Sequence, residues 1–318
     1  MRQGLILLLL LCLTGCGRGL PQPREMGEIA LMRTMAVDAG ENGGIRVTVS
    51  SGEEEGQTCS AQRATVAGAC QAVRAQGENA VFLGHVERLL LGEGLCAAGG
   101  VIPTLQYFSR DEELGLGAQV WLVRGEAQQE AAFAGTSGLK RTAGEVLGDL
   151  VEDGCTFVPV VGGGYGVLSA GGLQGVLTGE EALGLELLQG HALEELVELE
   201  NGAVEVDSAT LTCIPVAQGA RIVGLELDLR LTTHLEEAQS VELDPYYYKE
   251  AVAAQAEQWV KAAVERAQRE GLDFPGLCRR AGASRPELWK EIRSQREAQF
   301  SDWTISVRCT ATITDRRR

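Results

Sequence analysis

A cysteine near the N-terminus lies in a context that favours one specific covalent reaction. Leu13, Thr14 and Gly15 precede Cys16, an order typical of the cleavage box of a bacterial lipoprotein precursor. In that chemistry the cysteine thiolate takes up a diacylglycerol as a thioether, and a membrane peptidase that needs small residues cuts just before it. The sequence therefore predicts a signal peptide over residues 1–15 and lipidated Cys16 as the first residue of the mature protein.

The residues around this box leave two alternatives, a plain secretory signal and a short membrane anchor. Arg2 gives the segment a positive start, and residues 5–13 form its apolar run. That run is far shorter than the ~20 residues that a spanning helix needs, which disfavours an anchor. The cysteine at the box position disfavours plain secretion. Because two or more acyl chains bind a bilayer stably, we expect residues 16–24 to tether the chain to the outer face of the cytoplasmic membrane.

Few other residues have the types and spacing of a catalytic site. Histidine occurs at only three positions: His85, His191 and His234. None belongs to a His-Glu-x-x-His zinc motif, and the i, i+3 pair of His191 with Glu194 offers too few ligands for a metal. The string at 167–171 lacks the leading glycine of a serine nucleophile elbow, and the string at 135–138 has the wrong spacing. The sequence predicts neither an enzyme nor a metal site.

Two further stretches could bind a ligand, although a structural role explains each of them. Residues 162–166 contain four glycines but lack both the Gly-x-Gly-x-x-Gly spacing and the Lys-Ser/Thr pair of phosphate loops. This composition favours a flexible loop between strands. Residues 246–248 are three tyrosines at the expected start of a helix, where they could form an aromatic ligand box or anchor the helix with one ring exposed. We favour the anchor, and no cofactor is predicted apart from the lipid on Cys16.

The charge of the chain argues against nucleic acid as a partner. Its 318 residues contain 28 Lys and Arg against 44 Asp and Glu, a net charge of −16. Such an acidic body is repelled by phosphate backbones and by anionic lipid headgroups. The C-terminal 249–318 differ, with 14 basic against 10 acidic residues. Hydrophobic residues make up 45% and aromatic residues 5%, so the cores must be built mainly from aliphatic side chains.

The cysteines beyond the signal peptide and the lipidation site do not form a recognisable framework. Seven are left at wide spacing: Cys59, Cys70, Cys96, Cys155, Cys213, Cys278 and Cys309. An odd number without a Cys-x-x-Cys pair predicts neither a disulfide scaffold nor a zinc site. Residues 58–76 read as one helix, which would hold Cys59 and Cys70 about 16 Å apart and prevent a bridge. We expect buried free thiols.

The order of the predicted elements favours an α+β fold. Strands are predicted at 28–37 and 45–50, which a turn at 38–44 joins into a hairpin. Further strands are predicted at 86–91, 116–123 and 157–161, with a short helix at 141–152. Because strands and helices alternate irregularly, a doubly wound parallel sheet is disfavoured.

The C-terminal part has the clearest periodicity. Apolar residues alternate with polar ones over 222–235 and again over 303–313, which is typical of strands with one exposed face. Between them, apolar residues recur every three or four positions over 249–270, which predicts a long amphipathic helix. Trp259 lies at the centre of this apolar stripe and Trp303 begins the last strand. We expect both tryptophans to be core residues, with Trp259 packed onto the sheet.

Four stretches behind the cleavage box occur in the order and spacing of a known family. They are Arg24-Glu25-x-x-Glu28-Ile29-Ala30-Leu31 to Val37-Asp38; Gly84-His85 through Gly92-Glu93-Gly94-Leu95, Ala98-Gly99 and Ser109-Arg110-Asp111 to Leu114–Val123; Gly175-Val176-Leu177 with Glu180-Glu181-x-x-Gly184; and Asp273-Phe274 through Pro286-Glu287-Leu288-Trp289 to Phe300, Asp302 and the predicted last strand. Together they resemble the Ger(x)C family, the lipoprotein C subunit of spore nutrient-germinant receptors.

The resemblance implies an architecture. After the cleaved signal peptide the body should be elongated, with about three small mixed α/β domains and mostly antiparallel sheets. We place an N-terminal α/β domain at 25–152, a middle domain at 153–205, and a C-terminal domain at 206–318 whose long helix 249–270 lies on a sheet.

The resemblance also implies a function. The chain should be a non-enzymatic subunit that assembles with membrane-embedded A- and B-type receptor subunits at the inner spore membrane and is required for nutrient-triggered germination. The alternative is a substrate-binding lipoprotein of a transporter. Such proteins usually have two similar βαβ-rich lobes around an aromatic-lined cleft, which the strand pattern and the 5% of aromatic residues disfavour. A lipid-anchored hydrolase is disfavoured because no triad string occurs.

Overall fold

The structure is a computed structural model that describes residues 29–52, 56–76, 80–133, 135, 138–193, 196–219, 221–238 and 245–314. The strands are β1 (Ile29–Leu31), β2 (Thr34–Ala39), β3 (Ile45–Ser50), β4 (Thr58–Arg63), β5 (Ala80–Phe82), β6 (Arg88–Gly92), β7 (Gln119–Val123), β8 (Cys155–Pro159), β9 (Tyr165–Ser169), β10 (Gly172–Leu177), β11 (Val197–Leu199), β12 (Gly202–Gln218), β13 (Arg221–Ala238) and β14 (Thr304–Ile313). The helices are α1 (Val66–Arg74), α2 (Glu93–Ala97), α3 (Val101–Phe108), α4 (Ala143–Glu152), α5 (Glu180–Leu188), α6 (Pro245–Glu270), α7 (Leu277–Ser284) and α8 (Trp289–Gln299). Short 3-10 turns cover Glu41–Gly43, Ala127–Glu130, Pro286–Leu288 and Phe300–Asp302.

The N-terminal sheet has five strands in the order β4-β3-β2-β6-β7. β2, β3 and β4 pair antiparallel, whereas β6 pairs parallel with β2 and β7 pairs parallel with β6. The turn between β2 and β3 contains Asn42 and Gly43 at positive φ (54° and 74°), a conformation that these two residue types adopt at low cost. The predicted hairpin is present, but its first strand, predicted as one strand at 28–37, is split in two: β1 pairs with β5, and only β2 pairs with β3.

The prediction of one helix over 58–76 is wrong, because its first half is a strand. β4 pairs antiparallel with β3 over its whole length and buries Cys59 and Ala61 at alternate positions. This period of two is that of a strand with one covered face. The helix α1 begins only after Thr65, whose hydroxyl accepts a hydrogen bond from the backbone N–H of Gly68 and caps the helix. Cys59 and Cys70 therefore lie on different elements, and the distance argued from a shared helix does not apply.

Two smaller sheets accompany the N-terminal one. β8, β9 and β10 form an antiparallel sheet in the order β10-β9-β8, and β1 pairs parallel with β5. The glycine-rich stretch connects β8 to β9, where Gly162, Gly163 and Gly164 all have positive φ (91°, 111° and 85°). The prediction of a loop between strands is thus confirmed for this stretch.

The C-terminal sheet has the order β11-β12-β13-β14. The long strands β12 and β13 pair antiparallel, from Gly202 opposite Ala238 to Gln218 opposite Arg221. β14 then pairs parallel with β13. The predicted strands at 222–235 and 303–313 and the helix at 249–270 are all present, whereas the sequence did not predict β12.

The described chain has the predicted α+β class, with mostly antiparallel sheets. Buried side chains form two large clusters. One lies around the N-terminal sheet and its helices, and the other runs from α5 and the sheet of β8 to β10 to the face of the C-terminal sheet that α6 covers. The proposed domain boundaries stay a prediction. Within the described ranges, no helix is long and apolar enough to cross a membrane.

Candidate functional site

The predicted lipidation site, Cys16, lies outside the described residues. The described chain begins at Ile29, the first residue of β1. β1 pairs with β5 through the register Leu31 opposite Phe82, and both of these side chains are exposed. Lipidation of Cys16 and cleavage after residue 15 therefore stay predictions.

The two predicted core tryptophans lie in the same buried cluster. Trp259 in the middle of α6 is 9% exposed, and Trp303 just before β14 is 4% exposed. The rings of Trp303 and Phe300 meet edge to face with centroids 6.0 Å apart. Gln268 of α6 donates hydrogen bonds to the backbone carbonyls of both residues, at 2.7 and 3.2 Å. α6 thereby holds the start of the last strand through polar as well as apolar contacts.

The helix α5 approaches α6 at a glycine. A Cβ at Gly184 would overlap the carbonyl oxygen of Trp259 and stand 3.0 Å from the Cβ of Ala263. Only a residue without a side chain allows the two helix backbones to come this close. Gly184 belongs to one of the four stretches that carry the family resemblance, and its physical role is close helix packing.

Two of the three tyrosines fix the start of α6. Tyr248 is 1% exposed, and its hydroxyl donates a 2.8 Å hydrogen bond to the carbonyl oxygen of Asn201. Tyr247 is half-buried, and its hydroxyl accepts a hydrogen bond from the Asn201 side chain at 3.3 Å. The side chain of Tyr246 lies outside the described residues. These contacts assign an anchoring role to the two described rings.

A polar junction connects α4 to α7. Asp149 accepts hydrogen bonds from Arg279 at 2.7 Å and from the Thr156 hydroxyl at 3.0 Å, and it pairs with Arg141. Arg279 also pairs with Asp153. Burial alone would raise the pKa of Asp149, but Arg279 and Arg141 outweigh this effect and hold the pKa below its usual value of 3.8. Asp149 is therefore a charged tie between the N-terminal and C-terminal parts.

A second polar network is centred on Asp111, the last residue of the stretch 109–111. Arg74 donates to both carboxylate oxygens of Asp111, at 2.9 and 3.0 Å, and the Tyr107 hydroxyl donates to the same carboxylate at 2.5 Å. Burial raises the pKa of Asp111, but the hydrogen bonds from Tyr107, from Arg74 and from the backbone have the larger, opposite effect. The net result is a lowered pKa, so the carboxyl stays charged. Asp111 in turn accepts from the backbone N–H groups of Glu113 and Leu114 and fixes the turn after α3.

The third network surrounds His234 on the C-terminal sheet. Nδ1 of His234 lies 3.0 Å from both carboxylate oxygens of Asp207, and Nε2 lies 2.6 Å from Glu236 and 3.0 Å from Glu205. Hydrogen bonding to Asp207 raises the pKa of the imidazole. The sequence did not single out these residues together. The signal that could have found them is the i, i+2 spacing of Glu205 with Asp207 and of His234 with Glu236 on facing strands.

The other candidate residues from the sequence do not assemble into a site among the described residues. His85 is exposed, and its Nε2 lies 3.5 Å from a carboxylate oxygen of Glu87. Nδ1 of His191 lies 2.7 Å from the carbonyl oxygen of Ala192. Glu194 lies outside the described residues. Ser169 accepts a hydrogen bond from Gly171 and turns the chain from β9 to β10 rather than facing a base.

All seven cysteines after Cys16 are buried and free, as predicted. Burial raises the pKa of Cys70 to about 11 and the pKa of Cys96, Cys213 and Cys309 to about 12. A thiol with such a pKa is neutral at pH 7, so it is a poor nucleophile and a poor metal ligand. These cysteines act as small core residues.

Two family models match the chain, one after the other. The spore germination protein N-terminal domain matches residues 22–161, and the spore germination B3/GerAC-like C-terminal domain matches residues 163–316. Among solved structures, the crystal structure of the GerBC protein resembles the fold with a TM-score of 0.62, at 18% sequence identity over 88% of this chain and 97% of that one. No curated protein sequence matches.

The two models together cover nearly all of the chain from residue 22 to residue 316, in the order that the sequence motifs predicted. The GerBC structure has a similar fold over 88% of the chain. The chain belongs to the Ger(x)C family of spore germination proteins.

Proposed function

We propose that this protein is the lipid-anchored C subunit of a membrane-associated nutrient germinant receptor and that spores need it to germinate. One observation carries the proposal: the N-terminal and C-terminal spore germination models match in succession over residues 22–161 and 163–316. The fold likeness to GerBC over 88% of the chain is consistent with it.

The proposed anchor is a diacylglycerol thioether on Cys16, which would hold the body on the outer face of the inner spore membrane. The support for it is the Leu13-Thr14-Gly15-Cys16 box. The membrane-embedded A- and B-type subunits are the proposed partners, and anchoring at the N-terminus would leave the rest of the chain free to meet them.

The proposed role is binding and assembly rather than catalysis. Three hydrogen-bonded carboxylates serve the fold: Asp149 connects α4 to α7, Asp111 fixes the turn after α3, and Asp273 accepts from the backbone N–H groups that open α7. Asp149 and Asp111 also have lowered pKa values, which suits neither a general acid nor a general base. No cofactor beyond the lipid is assigned to this role.

The proposal is tested with spores of a strain that lacks the gene. We expect these spores to lose the fall in optical density that nutrients trigger, while germination by a non-nutrient route that bypasses receptors stays normal. Expression of the wild-type chain should restore the response, and Cys16→Ala should restore it poorly. Spores that germinate normally but take up a nutrient more slowly would instead identify a transporter lipoprotein.

A further inference from the structure

Two large apolar side chains lie next to each other on the outer face of the two-stranded sheet. β1 pairs parallel with β5, and the last pair of this ladder is Leu31 opposite Phe82. Their neighbours Ala30 and Val81 pack against the N-terminal core, since successive side chains of a strand alternate between its two faces. Leu31 is 51% exposed and Phe82 is 40% exposed. Together they form a contiguous apolar surface, which we call the β1–β5 patch.

The surrounding structure holds both side chains of the patch outwards. The backbone N–H of Met32 donates a 3.2 Å hydrogen bond to the carbonyl oxygen of Phe82, and the Met32 side chain is fully buried. The ring of Phe82 lies over Gly84, where a Cβ would stand only 2.5 Å from the ring. An isolated exposed leucine would be ordinary for a protein surface. This pair differs because it is contiguous and lies at one particular place along the chain.

The patch lies where the folded body joins the proposed membrane anchor. β1 is the first element of the described chain, and the twelve residues 17–28 separate it from Cys16. Even fully extended, a segment of this length spans only about 40 Å, so β1 stays within that distance of the bilayer surface. A second contact made by a tethered body is intramolecular, so a weak affinity for the membrane is sufficient to hold it there.

The charges beside the patch suit a lipid surface better than those of the acidic body do. Arg33, two residues beyond Leu31, is exposed and forms no ion pair with a residue that the structure describes. His85, three residues after Phe82, is also exposed, and it lies beside Glu87. Most of the remaining surface belongs to a chain with a net charge of −16, which anionic headgroups repel. The patch therefore combines exposed apolar side chains with an unpaired positive charge close to the anchor.

We propose that the β1–β5 patch contacts the bilayer that carries the anchor, with Leu31 and Phe82 entering the headgroup region and the positive charge of Arg33 beside them. The sheet of β1 and β5 then faces the membrane. The anchor and the patch together fix the orientation of the body, which one lipid-bearing residue alone does not. This inference rests on the proposed function, because it takes the lipid on Cys16 as the first point of attachment.

The test uses the lipidated chain in vesicles of equal parts phosphatidylglycerol and phosphatidylethanolamine, with nitroxide-labelled lipid as the quencher. A fluorophore is attached either to His85→Cys, beside the patch, or to Glu265→Cys, on the exposed side of α6. The label is selective because the native cysteines of the described chain are buried. Since interfacial side chains enter the headgroup boundary by about 5–10 Å, we expect quenching at least about threefold stronger at His85→Cys than at Glu265→Cys.

The decisive variant combines Leu31→Ser with Phe82→Ser, which should reduce the quenching at His85→Cys to the level at Glu265→Cys. Val151→Ser is the matched control, because it removes a 68% exposed apolar side chain on α4 and should leave the quenching unchanged. Circular dichroism spectra identical to wild type would show that the variants are folded. Equal quenching of the two labels, or a double variant quenched as strongly as wild type, overturns the proposal. Either result would mean that residues 17–28 or another protein covers the patch.

A second form of the chain separates this inference from the proposed function. In it a hexahistidine tag replaces residues 1–16 and binds nickel-chelating lipid, so that attachment no longer depends on lipidation of Cys16. If this form shows the difference in quenching while the native chain carries no lipid, the proposed anchor is wrong and the patch is supported. If the native chain is lipidated and neither form shows the difference, the anchor is supported and the patch is wrong.

Discussion

Gly184 of α5 lies directly against the backbone of Trp259 in α6, and the two helices touch there without any side chain between them. The indole of Trp259 is 9% exposed on the same helix. The close approach of the two backbones and a large buried side chain therefore occur at the same position of α6. We expect a single substitution at this crossing to push the two helices apart.

Gly184→Ala should destabilise the protein by about 1–3 kcal/mol, because the added methyl group has no space and the helices must move apart. Gly148 in α4 is the matched control, since a Cβ there would meet nothing within 4 Å. Gly148→Ala should stabilise by about 0.5–1 kcal/mol through the better helix propensity of alanine. Urea unfolding followed by circular dichroism measures both. Equal effects of the two substitutions would contradict the proposed close packing.

Trp259→Ala should cost about 3–5 kcal/mol of unfolding free energy, the usual range for removal of a buried tryptophan. Glu265→Ala on the exposed side of α6 should change the free energy by less than about 0.5 kcal/mol. Circular dichroism is the suitable probe, because the fluorescence signal changes with the loss of a tryptophan. A Trp259→Ala protein as stable as the Glu265→Ala protein would mean that the indole contributes little to the core.

Asp149→Asn should destabilise the protein by about 2 kcal/mol at pH 7, because hydrogen bonds between charged groups are lost in a largely buried place. The folded-state pKa of Asp149 lies below its usual 3.8, so its contribution is fully present above that pH and is lost as pH falls through the folded-state value. The difference between wild type and variant should therefore shrink below pH 4. A difference that stayed constant down to pH 2 would argue against the charged tie.

Native protein should react very slowly with a thiol reagent at pH 7, since all seven described cysteines are buried and four of them have pKa values raised to about 11 or 12. After denaturation, protein purified from membranes should yield seven thiols, because the proposed processing removes residues 1–15 together with Cys12 and places lipid on the sulfur of Cys16. Fast labelling of any described cysteine in the native state would reveal an opening that the structure does not have.

Cys16→Ala should abolish incorporation of labelled palmitate and leave the precursor uncleaved. A Cys12→Ala variant is the control, because Cys12 lies within the signal segment and outside the cleavage box. It should be lipidated and processed as wild type. Palmitate that persisted in Cys16→Ala would place the lipid on another residue.

The parts of the fold that follow a simple period could be predicted from the sequence. β13 and β14 alternate apolar and polar residues, and α6 repeats its apolar residues every three or four positions, so these elements were found within a few residues of their true bounds. The sequence predicts a helix where β4 lies because a true helix begins only three residues after the last residue of β4. The small residues around Cys59 fit both the period of a helix and the period of a strand.

The cluster around His234 could not be found in this way, because it depends on register. Its residues come from two strands, and a slip of one position would move a side chain to the other face of the sheet. The bulges at Asp207 and Glu236 set that register, and single sequences give little sign of them. The bulge at Asp207 interrupts the alternation of apolar and polar residues in β12, which explains why the sequence pattern does not predict this long strand.

The parallel pairing of β14 with β13 affects how the protein folds during its synthesis. The N-terminal sheet is complete once residue 123 has emerged, but Gly224 finds its neighbour only when Thr304 arrives. Until then β13 has an open edge, which can pair with the edge of another chain. Contacts between such distant residues also form slowly. Chains that stop short of residue 304 should therefore be lost to aggregation or proteolysis even though every residue of their N-terminal sheet is present.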